Sequence, residues 1–128
     1  MTRRTRSTWH IQSEGDTLTV ARRVPVRMDV AAQATFPACN RLALAQQIRQ
    51  DLWRRLQRLR GFAPVVQVVR EADGLRVTAG GQLAAAAPDH TSAYVAEMLN
   101  TPHLRQRWIA NASKGQQAGA AGREVRDV

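Results

Sequence analysis

RLALAQQIRQDLWRRLQRLR, residues 41–60, is the stretch on which the fold turns. Ala45, Ile48, Leu52, Leu56 and Leu59 recur at spacings of three and four, and at 100° per residue they share an arc of about 80°. That width suits a helix laid on a sheet. Asn40 stands where an N-cap belongs and Gly61 where a left-handed stop belongs, so the pattern predicts a helix from Arg41 to about Arg60. Both flanks of the stripe are cationic. Arg54 and Arg58 lie with Asp51 on one; Arg49, Trp53 and Arg60 lie on the other.

Strand patterns lie on both sides of this helix. Upstream, Trp9–Gln12 and Leu18–Arg22 are β-prone stretches around the turn sequence Ser13–Thr17, which predicts a hairpin. Pro25 has no N–H to donate to a ladder and belongs at an edge or a strand start. Beyond it, Val26, Met28 and Val30 alternate with Arg27 and Asp29, the period-two signature of a half-buried strand. Downstream, Val65–Glu71 and Leu75–Ala79 flank Ala72-Asp73-Gly74, a second hairpin signal, and Gly80-Gly81 is expected to end or bulge the strand. Pro88-Asp89-His90-Thr91 opens a last helical region, capped by Asp89 or Thr91. Thr101-Pro102 starts a second, short helix within it.

The order of elements predicts an α+β fold: an antiparallel sheet with two helices on one face. The preferred form is a ferredoxin-like βαββα variant whose N-terminal hairpin contributes an extra strand. Residues 1–7 read as a disordered basic arm, 8–112 as one α+β domain, and 113–128 as a flexible tail rich in small residues.

A chain of 128 residues has room for one hydrophobic core, and an apolar share of 44% is enough to fill it. No apolar run approaches the ~20 residues of a membrane span. The basic N-terminus lacks the apolar stretch of a signal peptide, so the expected location is the cytoplasm. One cysteine, Cys39, excludes an internal disulfide and a cysteine-rich metal cage. The net charge is +9, and the 18 arginines stand against one lysine, Lys114. A GC-rich genome accounts for arginine in place of lysine. It does not account for cations outnumbering the ten acids almost two to one.

Such a balance favours an anionic partner. The candidate partner-binding residues are Arg49, Trp53, Arg54, Arg55 and Arg58. Arginine's planar fork suits carboxylates and phosphates, and Trp and Arg are enriched at binding hot spots. The competing account is a solvated helix flank with Asp51 paired to Arg55. Trp108 is read as a core residue. The leading function is a small non-catalytic binding or accessory protein that engages an acidic protein or ribonucleoprotein. A general RNA- or DNA-binding protein is the alternative. Against it stands the lack of aromatic residues on Val65–Arg70 and Leu75–Ala79, where single-strand modules carry stacking platforms.

Catalytic stories lack parts. Cys39 precedes a helix start, but a thiolate activated there by the dipole and Arg41 still needs a base. No histidine is paired with it by spacing, so it is read as a small buried hydrophobe near a helix end. His10, His90 and His103 form no metal-binding motif, and no carboxylates are spaced as an acid–base pair. No catalytic residue, metal or cofactor is assigned.

Overall fold

The computed structural model describes residues 9–122, with side chains through Lys114. The expected arm at residues 1–7 and the end of the expected tail, 123–128, lie outside the described residues. The elements are β1 (His10–Glu14), β2 (Thr17–Ala21), β3 (Val30–Phe36), α1 (Arg41–Leu56), β4 (Ala63–Glu71), β5 (Gly74–Gln82), α2 (Thr91–Leu99) and α3 (Pro102–Gly122). The fold is α+β; among the described residues it comprises one five-stranded antiparallel sheet in the order β1-β2-β4-β5-β3 and three helices.

Both hairpins form where the turn residues stand. Gly15 and Asp16 join β1 to β2, and Gly15 adopts φ 60°, a left-handed value that glycine takes without strain. Ala72 and Asp73 join β4 to β5, with Glu71 opposite Gly74.

Strand alternation divides the sheet into two unlike faces. On one, the register aligns Leu18, Val68, Val77 and Ala34 across four strands, and beside them Val20, Val66, Ala79 and Ala32. These rows meet Ala45, Ile48, Leu52 and Leu56 of α1, together with Val95, Met98 and Leu99 of α2 and Leu104 and Trp108 of α3, in one hydrophobic cluster. Helix α1 lies over β2, β4 and β5, α2 over β3, and α3 against α1. Leu59 reaches the same cluster from beyond the end of α1 and stays partly buried.

Several boundaries differ from the pattern, each for a local reason. The strand expected from Val26 begins at Val30, because residues 22–29 cross from the second strand position to the last. That crossing passes the ends of β4 and β5. The Arg22 amide donates to the Pro64 carbonyl (3.1 Å) and the Asp29 amide to the Gly81 carbonyl (2.7 Å). The Asp29 carboxylate accepts from the Leu83 amide at 2.7 Å and from the Arg27 guanidinium. The bond from Arg27, then that from Leu83, holds the Asp29 carboxyl below its ordinary range. Gly80 and Gly81 lie inside β5 and do not end it. A Cβ on Gly80 would strike the Val30 carbonyl oxygen, so the glycine permits close pairing with β3.

Helix α1 is capped as expected, the Asn40 side chain accepting from the Ala43 amide at 2.8 Å. It ends at Leu56 rather than near Arg60; residues 57–61 turn, with Gly61 at φ 68°. His90, not Asp89 or Thr91, precedes α2, and it makes no side-chain cap bond. Thr101 and Pro102 do break the last helical region. The Thr101 carbonyl accepts from the Leu104 and Arg105 amides (3.1 and 3.0 Å) at the start of α3, while its hydroxyl donates back to the Glu97 carbonyl (2.8 Å) and closes α2. Helix α3 then continues to Gly122, past the expected boundary at 112.

Leu52 is fully buried between α1 and the sheet. Leu52→Ala is expected to cost about 2–5 kcal/mol in chemical denaturation. A loss below ~1 kcal/mol would show that this helix face is not core.

Candidate functional site

The five candidate residues divide between two sides of α1. Arg49 and Trp53, four apart, share the flank toward the N-terminal hairpin. The Arg49 guanidinium lies 4.5 Å from the centroid of the Trp9 ring, and Arg22 lies 5.5 Å from the same centroid. Trp9 precedes β1 and Arg22 follows β2, so pairing of His10 with Ala21 brings them to one end of the hairpin. The Arg49 Nε also donates to Gln46 Oε1 at 2.7 Å. Burial lowers the Arg49 pKa from its ordinary value, but an arginine remains charged at neutral pH. Trp53 is 42% exposed and stacks on Phe62, with centroids 6.3 Å apart and planes 9° from parallel. Ile11 of β1 is also exposed. This flank therefore sets the guanidinium groups of Arg22 and Arg49 against the Trp9 ring, with the exposed Trp53 one turn along α1 from Arg49.

The other three candidates are dispersed. Arg54 pairs with Asp51 at 3.3 Å, one turn back on the same helix. Arg55 places its guanidinium 5.8 Å from the centroid of Tyr94 on α2. Arg58 is exposed in the turn beyond α1. The account of a solvated helix flank pairs Asp51 with Arg55. Instead Asp51 is buried and accepts from Arg54, from Arg107 and, at 2.7 Å, from the indole Nε1 of Trp108. This carboxylate ties α1 to α3, and it keeps the polar atom of the fully buried Trp108 satisfied. No local pattern in the sequence signals the tie to α3, because those two partners lie 56 and 57 residues away.

Cys39 sits just before α1 and lines a concavity of about 510 Å³ with Asn40, Arg41, Arg70, Glu71 and Asp73 among its neighbours. No histidine lines it. Cys39 is buried, and burial pushes its thiol pKa up rather than down. Among the described residues, no three of His, Cys, Asp and Glu gather as metal ligands, and no helix is long and apolar enough to cross a membrane.

Among the described residues, no helix covers the second face of the sheet. Register aligns Gln12, Thr19, Gln67, Thr78 and Gln33 in one row across all five strands. Gln67 Nε2 donates to the Thr19 hydroxyl (3.3 Å) and Gln33 Nε2 to the Thr78 hydroxyl (3.1 Å). The rows on either side hold His10, Ala21, Val65, Gly80 and Ala31, and Glu14, Thr17, Val69, Arg76 and Thr35. None of these residues is a Phe, Tyr or Trp on which a base could stack.

Comparison with protein-family models, with curated proteins and with solved structures finds no match for this chain.

Two measurements test these assignments. Asp51→Ala is expected to cost about 1–3 kcal/mol, since it strands the buried Trp108 N–H, while Asp51→Asn keeps an acceptor and loses less. Equal, negligible losses in both variants would show that the α1–α3 tie carries no weight. For Cys39, a thiol reagent at neutral pH should label the native chain more slowly than the urea-unfolded one. Faster labelling of the native chain would mark Cys39 as an activated nucleophile.

Proposed function

We propose that this chain is a small non-catalytic binding protein that engages an acidic protein surface through the flank of α1 bearing Arg49 and Trp53. The reading extends that surface to Trp9 and Arg22. One observation carries it: the Trp9 ring lies against two guanidinium groups, beside the exposed, stacked Trp53. Guanidinium groups ordered on an aromatic ring lose less side-chain freedom when they bind a carboxylate, so more of the contact energy is retained. An exposed tryptophan next to them provides apolar area of the kind that anchors interfaces.

Arg54, Arg55 and Arg58 play a secondary part in this reading. Arg54 is already engaged by Asp51, and Arg55 by Tyr94. They add to the positive field that draws an acidic partner in, and their effect falls on the association rate. The absence of stacking aromatics from the open sheet face favours a protein over single-stranded nucleic acid as the partner. The proposed setting is the cytoplasm.

We also infer that β3–α1–β4–β5–α2 is a ferredoxin-like βαββα core. Strands β3 and β4 each run antiparallel to β5 and so parallel to one another, with α1 connecting them across β5. In this reading the N-terminal hairpin extends the sheet beside β4, and α3 follows α2 where a further strand would otherwise come.

The test is a salt titration of binding to a glutamate-rich peptide, duplex DNA, single-stranded DNA and RNA. The acidic peptide should bind, and Arg49→Ala and Trp53→Ala should each weaken it about tenfold or more. The triple change of Arg54, Arg55 and Arg58 to Ala should mainly slow association and flatten its salt dependence. Binding of RNA or DNA below ~1 μM at physiological salt, with a steep salt slope lost in the triple variant, would replace this reading with nucleic-acid binding.

A further inference from the structure

Strand β3 ends the sheet, and among the described residues no strand pairs with its outer edge. An edge of this kind presents unpaired backbone donors and acceptors, and proteins ordinarily blunt it with charge, proline, bulges or brevity. Strand β3 uses none of these. Its seven residues, Val30-Ala31-Ala32-Gln33-Ala34-Thr35-Phe36, contain no charged side chain and no proline, and its register with β5 is uninterrupted. The opposite edge, β1, is shorter and includes Glu14 and His10.

The direction of the free groups follows from one contact. The Thr35 carbonyl accepts from Nη2 of Arg105 at 2.7 Å, a side chain of α3 rather than a residue of β5. Thr35 therefore points its backbone out of the sheet, and by the two-residue alternation of a strand so do Gln33 and Ala31. These three supply N–H and C=O groups for another strand, and the Thr35 oxygen retains a second lone pair.

The sequence of β3 reads nearly alike in both directions about Gln33. Alanines flank it on each side, small residues (Ala31 and Thr35) come next, and large apolar residues (Val30 and Phe36) end the strand. We propose that this edge pairs antiparallel with the same edge of a second copy of the chain, with Gln33 opposite Gln33. Thr35 then faces Ala31, and Ala32 faces Ala34, so small side chains meet throughout. The polar row of Gln12, Thr19, Gln67, Thr78 and Gln33 continues across the two-fold axis into its copy, and the two Gln33 amides meet on the exposed face.

Charge favours this partner over an arbitrary strand. Each copy carries +9, so two copies repel unless they meet where no charge faces its like. Strand β3 itself bears no charged side chain, and the cation bonded to its outer edge, Arg105, sits at the Thr35 end. Antiparallel pairing about Gln33 sets Arg105, at the Thr35 end, opposite Ala31 of the second copy, so the two Arg105 side chains lie at opposite ends of the pairing. The helix above the edge does not stand in the way. Tyr94 faces α1 through Arg55, so the opposite flank of α2, with Ser92, Ala93 and Ala96, lies toward the edge and bears only small side chains.

The experiment is sedimentation of the full chain across a concentration series to ~100 μM, a range that detects micromolar dimers. The wild type should form a dimer. Gln33→Lys places two like charges face to face and should weaken it about tenfold or more. Gln33 is exposed, so circular dichroism and thermal melting should show this variant folded as the wild type. In a second variant, Gln33→Cys, mild oxidation should link two chains through the introduced thiols. Directly opposed residues of an antiparallel pair lie about 4.5–5.5 Å apart at Cα, within disulfide reach. The native Cys39 is buried and serves as the internal control. A wild type that stays monomeric throughout the series, or a dimer that Gln33→Lys leaves unchanged, overturns the proposal.

Discussion

Burial of one face of α1 against the central strands is the constraint on which the other elements depend. Val66 and Val68 of β4 and Val77 of β5 point to the same side as Leu18 and Val20 of β2, and all are fully or almost fully buried. An antiparallel sheet with one apolar face cannot leave that face in water, and α1 covers its middle. Its length then fixes what remains. β3 at one end of the sheet is covered by α2, and β1 at the other extends beyond the helix layer, leaving Ile11 exposed. Trp9 and the adjacent arginines gather at that uncovered end. The candidate surface is thus a consequence of where the core stops.

Helix α3 is held to this layer by two kinds of contact. Apolar packing of Leu104, Trp108 and Ala112 contributes non-directional burial, while Asp51 fixes position and register. A carboxylate with one oxygen toward Arg54 and the other toward Arg107 and Trp108 is satisfied only when α1 and α3 are correctly placed along each other. Buried polar groups of this type are costly to leave unpaired, so they penalise shifted arrangements more than they reward the right one. Arg105 extends the same layer to the sheet edge. Its guanidinium lies 4.0 Å from the Phe36 ring centroid and bonds the carbonyls of Leu99 and Thr35. It joins both helices after β5 to the end of β3.

The two proposed contacts use opposite ends of the sheet and opposite chemistry. At the β1 end, cations ordered on aromatic rings suit carboxylates of a different molecule. At the β3 edge, an uncharged strand with small side chains suits an identical strand. Pairing at β3 leaves the Arg49 and Trp53 flank exposed on each copy, so a dimer would present two such surfaces and gain avidity toward a partner with repeated acidic segments.

Local patterns determined the α+β class, the two hairpins, the capped start of α1 and its buried stripe. Each depends on residues within a few positions of one another: Asn40 on Ala43, Gly15 within its turn, Ala45 through Leu56 on one helical face. Element ends were less legible. Val26 and Met28 alternate like strand residues, but the chain there has to cross the sheet, and long-range bonds to Pro64, Gly81 and Leu83 decided its path. The composition of Lys114–Gly122 likewise suggested a tail, yet the backbone remains helical. Only the tertiary structure decided which arginines share a surface. Helical angle placed Arg49 beside Trp53, but the Trp9 ring reaches Arg49 through the pairing of β1 with β2. The roles of Asp51 and the free edge of β3 belong to the same class. A carboxylate is buried by partners more than 50 residues away, and a strand becomes an edge through the order of its sheet; neither property resides in the residues alone.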